Sequence, residues 1–177
     1  MNILALVGSP RKGGNTDILV DAILSGAREH GHAIEKIYLR DLDIGSCIDC
    51  RICKREPFRC VLADSMRDLY SQLDASDVLV FGTPIYWFGP TGPMKTLLDR
   101  LRPYVANRQL RGKKALLAIP AGDGPKEADL TVEMFRRSLE YLEVELADYV
   151  LATAYDRDDI QHDATAMAQA ARLGAEL

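Results

Sequence analysis

At 177 residues, 47% of them hydrophobic and 27% charged, the chain has the size and balance of one folded domain, with no biased stretch that favours disorder. A net charge of −4 lacks the basic footprint of a general nucleic-acid binder. No apolar run is long enough to span a bilayer, and Met1–Val7 enters a Gly-Ser-Pro turn without a cationic leader, so a cytoplasmic protein is expected, with cysteines that are thiols or ligands rather than disulfides.

Ile3 to Val7 is a continuous apolar run ended by Gly8-Ser9-Pro10, the pattern of a strand buried on both faces. After the loop Arg11 to Gly14, Asn15 is expected to cap a helix that repeats Ile18, Leu19, Ala22, Ile23 and Ala27 and ends at Gly31. His32 to Leu39 is more polar and predicts a strand nearer the sheet edge. Asp64 to Asp74 predicts a helix through Met66, Leu69, Tyr70 and Leu73. Val78 to Phe81 is another buried strand, stopped by Gly82-Thr83-Pro84 before a long loop to Gly92. Met94 to Leu101 predicts a helix closed by Pro103, Ala115 to Ile119 a buried strand, Glu127 to Leu142 a helix, Val144 to Thr153 an alternating edge strand, and Asp159 to Leu173 a final helix.

Five strands alternating with five helices imply a single α/β domain over 1–177, a three-layer sandwich around a parallel sheet with right-handed crossovers. In open α/β sheets ligands bind at the carboxyl ends of the strands, where the strand order reverses. With the order 2-1-3-4-5, three loops converge there: Gly8–Thr16, Thr83–Gly92 and Pro120–Pro125.

The first loop, GSPRKGGNT, joins a buried strand to a helix N-terminus, where free amides and the helix dipole favour a phosphate. Ser9, Asn15 and Thr16 offer side-chain donors, and Arg11 and Lys12 add positive charge. Gly14 and Asn15 stand where a Walker A loop needs Lys and Ser or Thr, so that motif is excluded. The second loop, TPIYWFGPTG, sets Tyr86, Trp87 and Phe88 at a strand end. Three adjacent aromatics cannot all face one core, so at least one is expected to be exposed to a planar ligand. The third loop, PAGDG, is small enough to bring backbone amides against a ring edge.

GSPRKGGNT, TPIYWFGPTGPMKTLLDR and IPAGDG together resemble the three flavin loops of the NADPH-dependent FMN reductase family, over nearly the whole chain. The resemblance implies a flavodoxin-like fold. It implies that Ser9, Arg11, Gly14, Asn15 and Thr16 hold the FMN phosphate, and that Pro84, Ile85, Tyr86, Trp87, Phe88 and Gly89 line the isoalloxazine, with Ala121, Gly122 and Asp123 at its pyrimidine edge. NAD(P)H would be the co-substrate, and flavin N5 rather than any side chain would carry the chemistry.

Cys47, Cys50, Cys53 and Cys60 form C-x2-C-x2-C-x6-C within a cysteine-rich loop, 47–60, after the second strand. This spacing admits a [4Fe-4S] cluster, a tetrahedral zinc site, or unliganded redox-active thiols. The compact pattern is similar to that of the iron-sulfur flavoproteins, which carries the four cysteines over as cluster ligands. Arg51, Lys54, Arg55 and Arg59 outnumber Asp49 and Glu56, which suits an anionic cluster or docking of an acidic, ferredoxin-like electron carrier. Cys53 and Arg59 match the C-x5-R spacing of a phosphatase loop, but Glu56 repels phosphate and Pro57 removes an amide donor. His30, His32 and His162 are read as surface residues without a metal role.

The resulting expectation is an FMN-dependent, NAD(P)H-linked oxidoreductase that passes electrons through a [4Fe-4S] cluster. The resemblance to iron-sulfur flavoproteins adds a homodimer or homotetramer in which one subunit's cluster lies near its partner's FMN. The competing readings are a non-enzymatic flavodoxin-type electron carrier, an FMN reductase with free thiols, and a zinc-stapled scaffold with an empty pocket.

Overall fold

A computed structural model describes all 177 residues. Its sheet holds β1 (Asn2–Val7), β2 (Ala33–Tyr38), β3 (Val78–Gly82), β4 (Lys114–Ala121) and β5 (Glu145–Thr153) in the order β2-β1-β3-β4-β5, every pair parallel. The long helices are α1 (Asn15–Glu29), α2 (Met66–Ala75), α3 (Gly92–Arg100), α5 (Asp129–Tyr141) and α6 (Ala164–Ala175). This is the flavodoxin-like three-layer arrangement.

The two-residue period of the central strands builds two cores. On one face Leu4, Leu6, Leu79, Phe81, Leu117 and Ile119 meet residues of α2, α3 and α5 such as Leu69, Leu97 and Phe135. On the other face Ile3, Ala5, Val7, Val78, Val80 and Leu116 meet Leu19, Ile23, Ala170 and Leu173 of α1 and α6. Strands buried on both faces become continuous apolar runs, which is why β1, β3 and β4 were legible.

Helices α1 and α6 cross closely. A methyl group at Gly26 would run into the Ala171 carbonyl, and one at Gly174 into that of Ile23. Bare glycine backbone is what lets the two axes approach.

Four local expectations are corrected. Asn15 is the first residue of α1 rather than its cap, because its side-chain amide donates to the Asp156 carbonyl (2.7 Å) and its oxygen accepts from the Ile160 amide (3.3 Å). The Asp17 carboxylate reaches back to the loop, accepting from the Gly13 amide at 2.7 Å, and no side chain caps the first-turn amides of α1. Pro103 does not simply close a helix; it starts a one-turn helix α4 (Tyr104–Asn107). The last helix does not begin at Asp159, since residues 159–162 form a 3-10 turn and Asp163 caps α6 through the Ala166 amide (3.0 Å). Alternation along β5 is broken by a register shift, where Ala115 faces Leu146 and Leu116 faces Asp148.

Candidate functional site

The loop after β1 and the loop after β3 are tied at their roots. The Gly8 amide donates to the Gly82 carbonyl (2.7 Å), and the Thr91 hydroxyl donates to the Gly8 carbonyl (2.8 Å) while capping α3 at the Met94 amide (3.4 Å). A side chain at position 8 would sit 2.9 Å from both Thr91 Oγ1 and Met94 Cβ, so the closeness of the two loops needs that glycine.

Above this junction lies a cavity of about 400 Å3 at the carboxyl rim. Ser9, Arg11, Asn15 and Thr16 enter it from the first loop, Pro84, Ile85 and Tyr86 from the second, and Gly122 and Asp123 from the third. At its first-loop end, Ser9 is buried with its hydroxyl accepting from the Arg11 amide (3.2 Å), and the amides of Asn15, Thr16 and Asp17 have no acceptor in the chain. Arg11 is exposed and makes no ion pair. These donors form an anion cradle at a helix N-terminus.

The remaining expected flavin residues stand outside the lining. The Lys12 ammonium is held by Asp41 (2.5 Å) and lies over the Tyr38 ring (4.6 Å), directed away from the cradle. Gly14 is the N-cap of α1, and Ala121 is the buried end of β4. Trp87 and Phe88 form the tip of a two-residue turn closed by reciprocal backbone bonds between Tyr86 and Gly89 (2.8 and 3.1 Å). Both have positive φ, 51° and 62°, and they are 96% and 60% exposed. The Thr131 hydroxyl of α5 donates to the Phe88 carbonyl (3.3 Å) and anchors the turn.

The sequence reading missed a fourth wall, where Ala154, Tyr155 and Asp156 line the cavity from the chain after β5, and Glu127 joins them from the 3-10 turn that precedes α5. Tyr155 lies over Gly122, where an added methyl would be 2.9 Å from the ring. The rule that ligands gather at strand carboxyl ends applies equally to β5, and an aromatic just beyond that strand was the available signal. Asp123, Glu127 and Asp156 make this end acidic, opposite in sign to the Arg11 end.

All four cysteines are free and line one small cavity of about 20 Å3, together with Arg100 from the end of α3 and Arg102 from the turn after it. Burial pushes the Cys53 thiol up, and the thiols of Cys60, Cys50 and Cys47 add to it against the pull of Arg102. As the loop is folded, no three ligating side chains stand close enough to hold a metal ion.

Arg100 is 1% exposed and organises this region. It makes a two-pronged ion pair with Asp64 (2.5 and 3.0 Å), donates to the Gly45 carbonyl (2.6 Å), and reaches Cys60 Sγ at 3.4 Å. The guanidinium holds the Asp64 carboxyl below the usual carboxylate range. The Nε–H groups of Arg100 and Arg102 are both buried without an acceptor. Four thiols and two orphaned cationic donors around one cavity match the chemistry of an anionic, sulfur-rich group.

Lys54, Arg55, Arg59 and Arg67 make no ion pair. Arg59 and Arg67 line a separate cavity of about 690 Å3, which shares only Cys60 and Pro103 with the cysteine pocket.

A family model described as NADPH-dependent FMN reductase matches residues 1–156. An iron-sulfur flavoprotein of Methanocaldococcus jannaschii is 35% identical over 113 residues, covering 64% of this chain; the chain spans 58% of that relative's length, less than two thirds. A Bacillus subtilis protein bearing the name NAD(P)H-dependent FMN-containing oxidoreductase YwqN is 30% identical over 181 residues, covering 98% of this chain and 96% of its own. Among solved structures, the Trp repressor binding protein of Bacillus subtilis superposes with a TM-score of 0.73 at 25% identity, covering 97% of this chain and 96% of its own.

Proposed function

The chain belongs to the NADPH-dependent FMN reductase family, and from that premise we propose that it is an FMN-dependent, NAD(P)H-linked oxidoreductase with a [4Fe-4S] cluster on Cys47, Cys50, Cys53 and Cys60. The observation that carries the flavin assignment is the convergence of the first three rim loops on one cavity of about 400 Å3, a size typical of cofactor sites. When bound, FMN supplies a ring that accepts hydride and can release electrons singly to a cluster, so the chemistry asks for no side-chain acid or base.

The chain's own residues bind and orient. The free amides at the start of α1, with Ser9, Thr16 and Arg11, hold the phosphate. Tyr86 offers a flat face, and Gly122 and Asp123 present backbone to the ring edge. Trp87 and Phe88, bare at the turn tip, exclude water when a nicotinamide or a second subunit covers the ring. The four thiols and the orphaned Nε–H groups of Arg100 and Arg102 support the cluster assignment, as does the name of the 35%-identical relative.

The test is an ultraviolet-visible spectrum of anaerobically purified protein, with iron, zinc and acid-labile sulfide assayed on the same sample, followed by NADH and NADPH oxidation with an added acceptor. Flavin bands, a broad iron-sulfur shoulder and stoichiometric iron and sulfide are expected. Failure to bind FMN overturns the whole reading. A second reading, an FMN reductase with redox-active thiols, is favoured by the separation of the cysteines as the loop is folded. Flavin without iron establishes that one.

The exposed aromatic tip also supports a homodimer or homotetramer, and the unpaired cations of the cysteine segment support docking of an acidic electron carrier. A monomeric mass for the holoprotein by light scattering would reject the oligomer.

A further inference from the structure

A buried guanidinium nitrogen without a hydrogen-bond acceptor is costly, and the cysteine pocket contains two of them. Arg100 already has Asp64, Gly45 and Cys60 on its terminal nitrogens, and Arg102 has Asp49 at 3.0 Å. The Nε–H of each is the buried donor left without an acceptor, and both residues line the small cavity that the four cysteines also line. If these arginines served the fold alone, neutral donors or an apolar pair would close the cavity at lower desolvation cost. The arrangement is that of donors reserved for an anion.

We infer that Arg100 and Arg102 are the potential-setting residues of the cysteine site: one buried and one part-buried cation whose buried Nε–H groups bond to cluster or thiolate sulfur and favour its reduced, more negative state. The inference rests on the cluster reading above. In the step concerned, the cluster takes one electron from reduced flavin. No bond forms or breaks, and the cluster's charge becomes one unit more negative. Fixed positive charge in a low-dielectric pocket stabilises that added charge, and hydrogen bonds to sulfur act in the same direction.

Helix α3 gives the arrangement a structural logic. Its N-cap Thr91 is bonded to Gly8 at the root of the rim cavity, and its last residue is Arg100. Nine residues at 1.5 Å per residue make it about 14 Å long. One rigid element therefore carries the flavin-loop junction at its start and Arg100, which reaches Cys60 Sγ, at its end. A cation in the last helical turn also sits favourably in the helix dipole.

The experiment is a redox titration of the holoprotein, followed by electron paramagnetic resonance for the cluster and by absorbance for the flavin, on wild type, Arg102→Gln and Arg100→Lys. Arg102 is the informative position, because its side chain is only part-buried and its loss leaves the exposed Asp49 in water. The cluster's reduction equilibrium in Arg102→Gln is expected to fall about tenfold, a shift of about 59 mV to lower potential for one electron, with iron content and flavin potential unchanged. Arg100→Lys, which keeps the charge but not the fork, is expected to fall less while retaining iron. A full iron complement with an unmoved cluster potential in Arg102→Gln overturns this inference and leaves the cluster reading standing. A wild-type protein that takes up no iron or sulfide on anaerobic reconstitution overturns both.

Discussion

Trp87 and Phe88 hold consecutive left-handed backbone conformations, which a two-residue hairpin turn normally assigns to Asn and Gly. Each such residue costs about 1–2 kcal/mol, and two large exposed aromatics recover none of that by burial in the free chain. Replacing the pair, Trp87→Asn with Phe88→Gly, is expected to raise stability by about 1–2 kcal/mol, read as a higher urea midpoint with an unchanged slope. Tyr86 makes the opposite case. It lines the cavity, and Tyr86→Ala is expected to weaken FMN binding about twofold to tenfold, from the ~0.5–1.5 kcal/mol of an aromatic stack, measured by flavin fluorescence titration.

Asp17 shows what residue patterns conceal. Burial pushes its carboxyl up, but the Gly13 amide, the Lys36 ammonium (2.9 Å) and the Tyr38 hydroxyl (2.9 Å) outweigh it, so the carboxyl titrates below the 3.8 of a free aspartate. A depressed carboxylate contributes stability that is fully present above pH 3.8 and is lost as pH falls through the lower folded value. Asp17→Asn is expected to cost about 2 kcal/mol at pH 7, the worth of hydrogen bonds to a charged group, and to remove that part of the acid slope, as urea melts at a series of pH values would reveal. The sequence suggested Asn15 as the cap because cap preference is local, whereas its side chain is drawn to Asp156 and Ile160 after β5. Lys12 was likewise drawn to Asp41, which no loop motif could indicate.

Among the elements, the α1–α6 crossing reverses a familiar sign. Gly→Ala inside a helix normally stabilises by about 1 kcal/mol. At Gly174 the new methyl would strike the Ile23 carbonyl, backbone that cannot swing aside. Gly174→Ala is therefore expected to destabilise by about 1–3 kcal/mol, seen as a lower midpoint in thermal or urea unfolding. Elements buried on both faces were readable from composition alone, and β1, β3 and β4 fell where their apolar runs stood. Elements decided by contacts distant in sequence were not. The one-turn α4, the 3-10 entry to α6 and the shifted register of β5 have no periodic signature of their own. The cysteine segment is the extreme case: its spacing proclaims chemistry, but its path depends on Arg100 reaching back from α3 to Asp64, Gly45 and Cys60.

For the molecule as a whole, the strand order was predictable because a parallel sheet with right-handed crossovers and a phosphate-type first loop leaves few alternatives. Charge is also unevenly spread along the chain. Segment 51–67, which packs against Arg100, Pro103 and Tyr104 at and beyond the end of α3, carries five cations against two carboxylates, while segment 143–163, around the edge strand β5, carries seven carboxylates against one arginine. A protein of net charge −4 is thereby also a permanent electric dipole, and a dipole turns in the field of an approaching charge before any contact is made. An acidic electron carrier would meet the cysteine side first even though the molecule repels it on average, and the bimolecular rate with such a carrier is expected to fall steeply with added salt while that with an uncharged quinone stays level. Orientation, in such an encounter, is decided several ångströms before recognition begins.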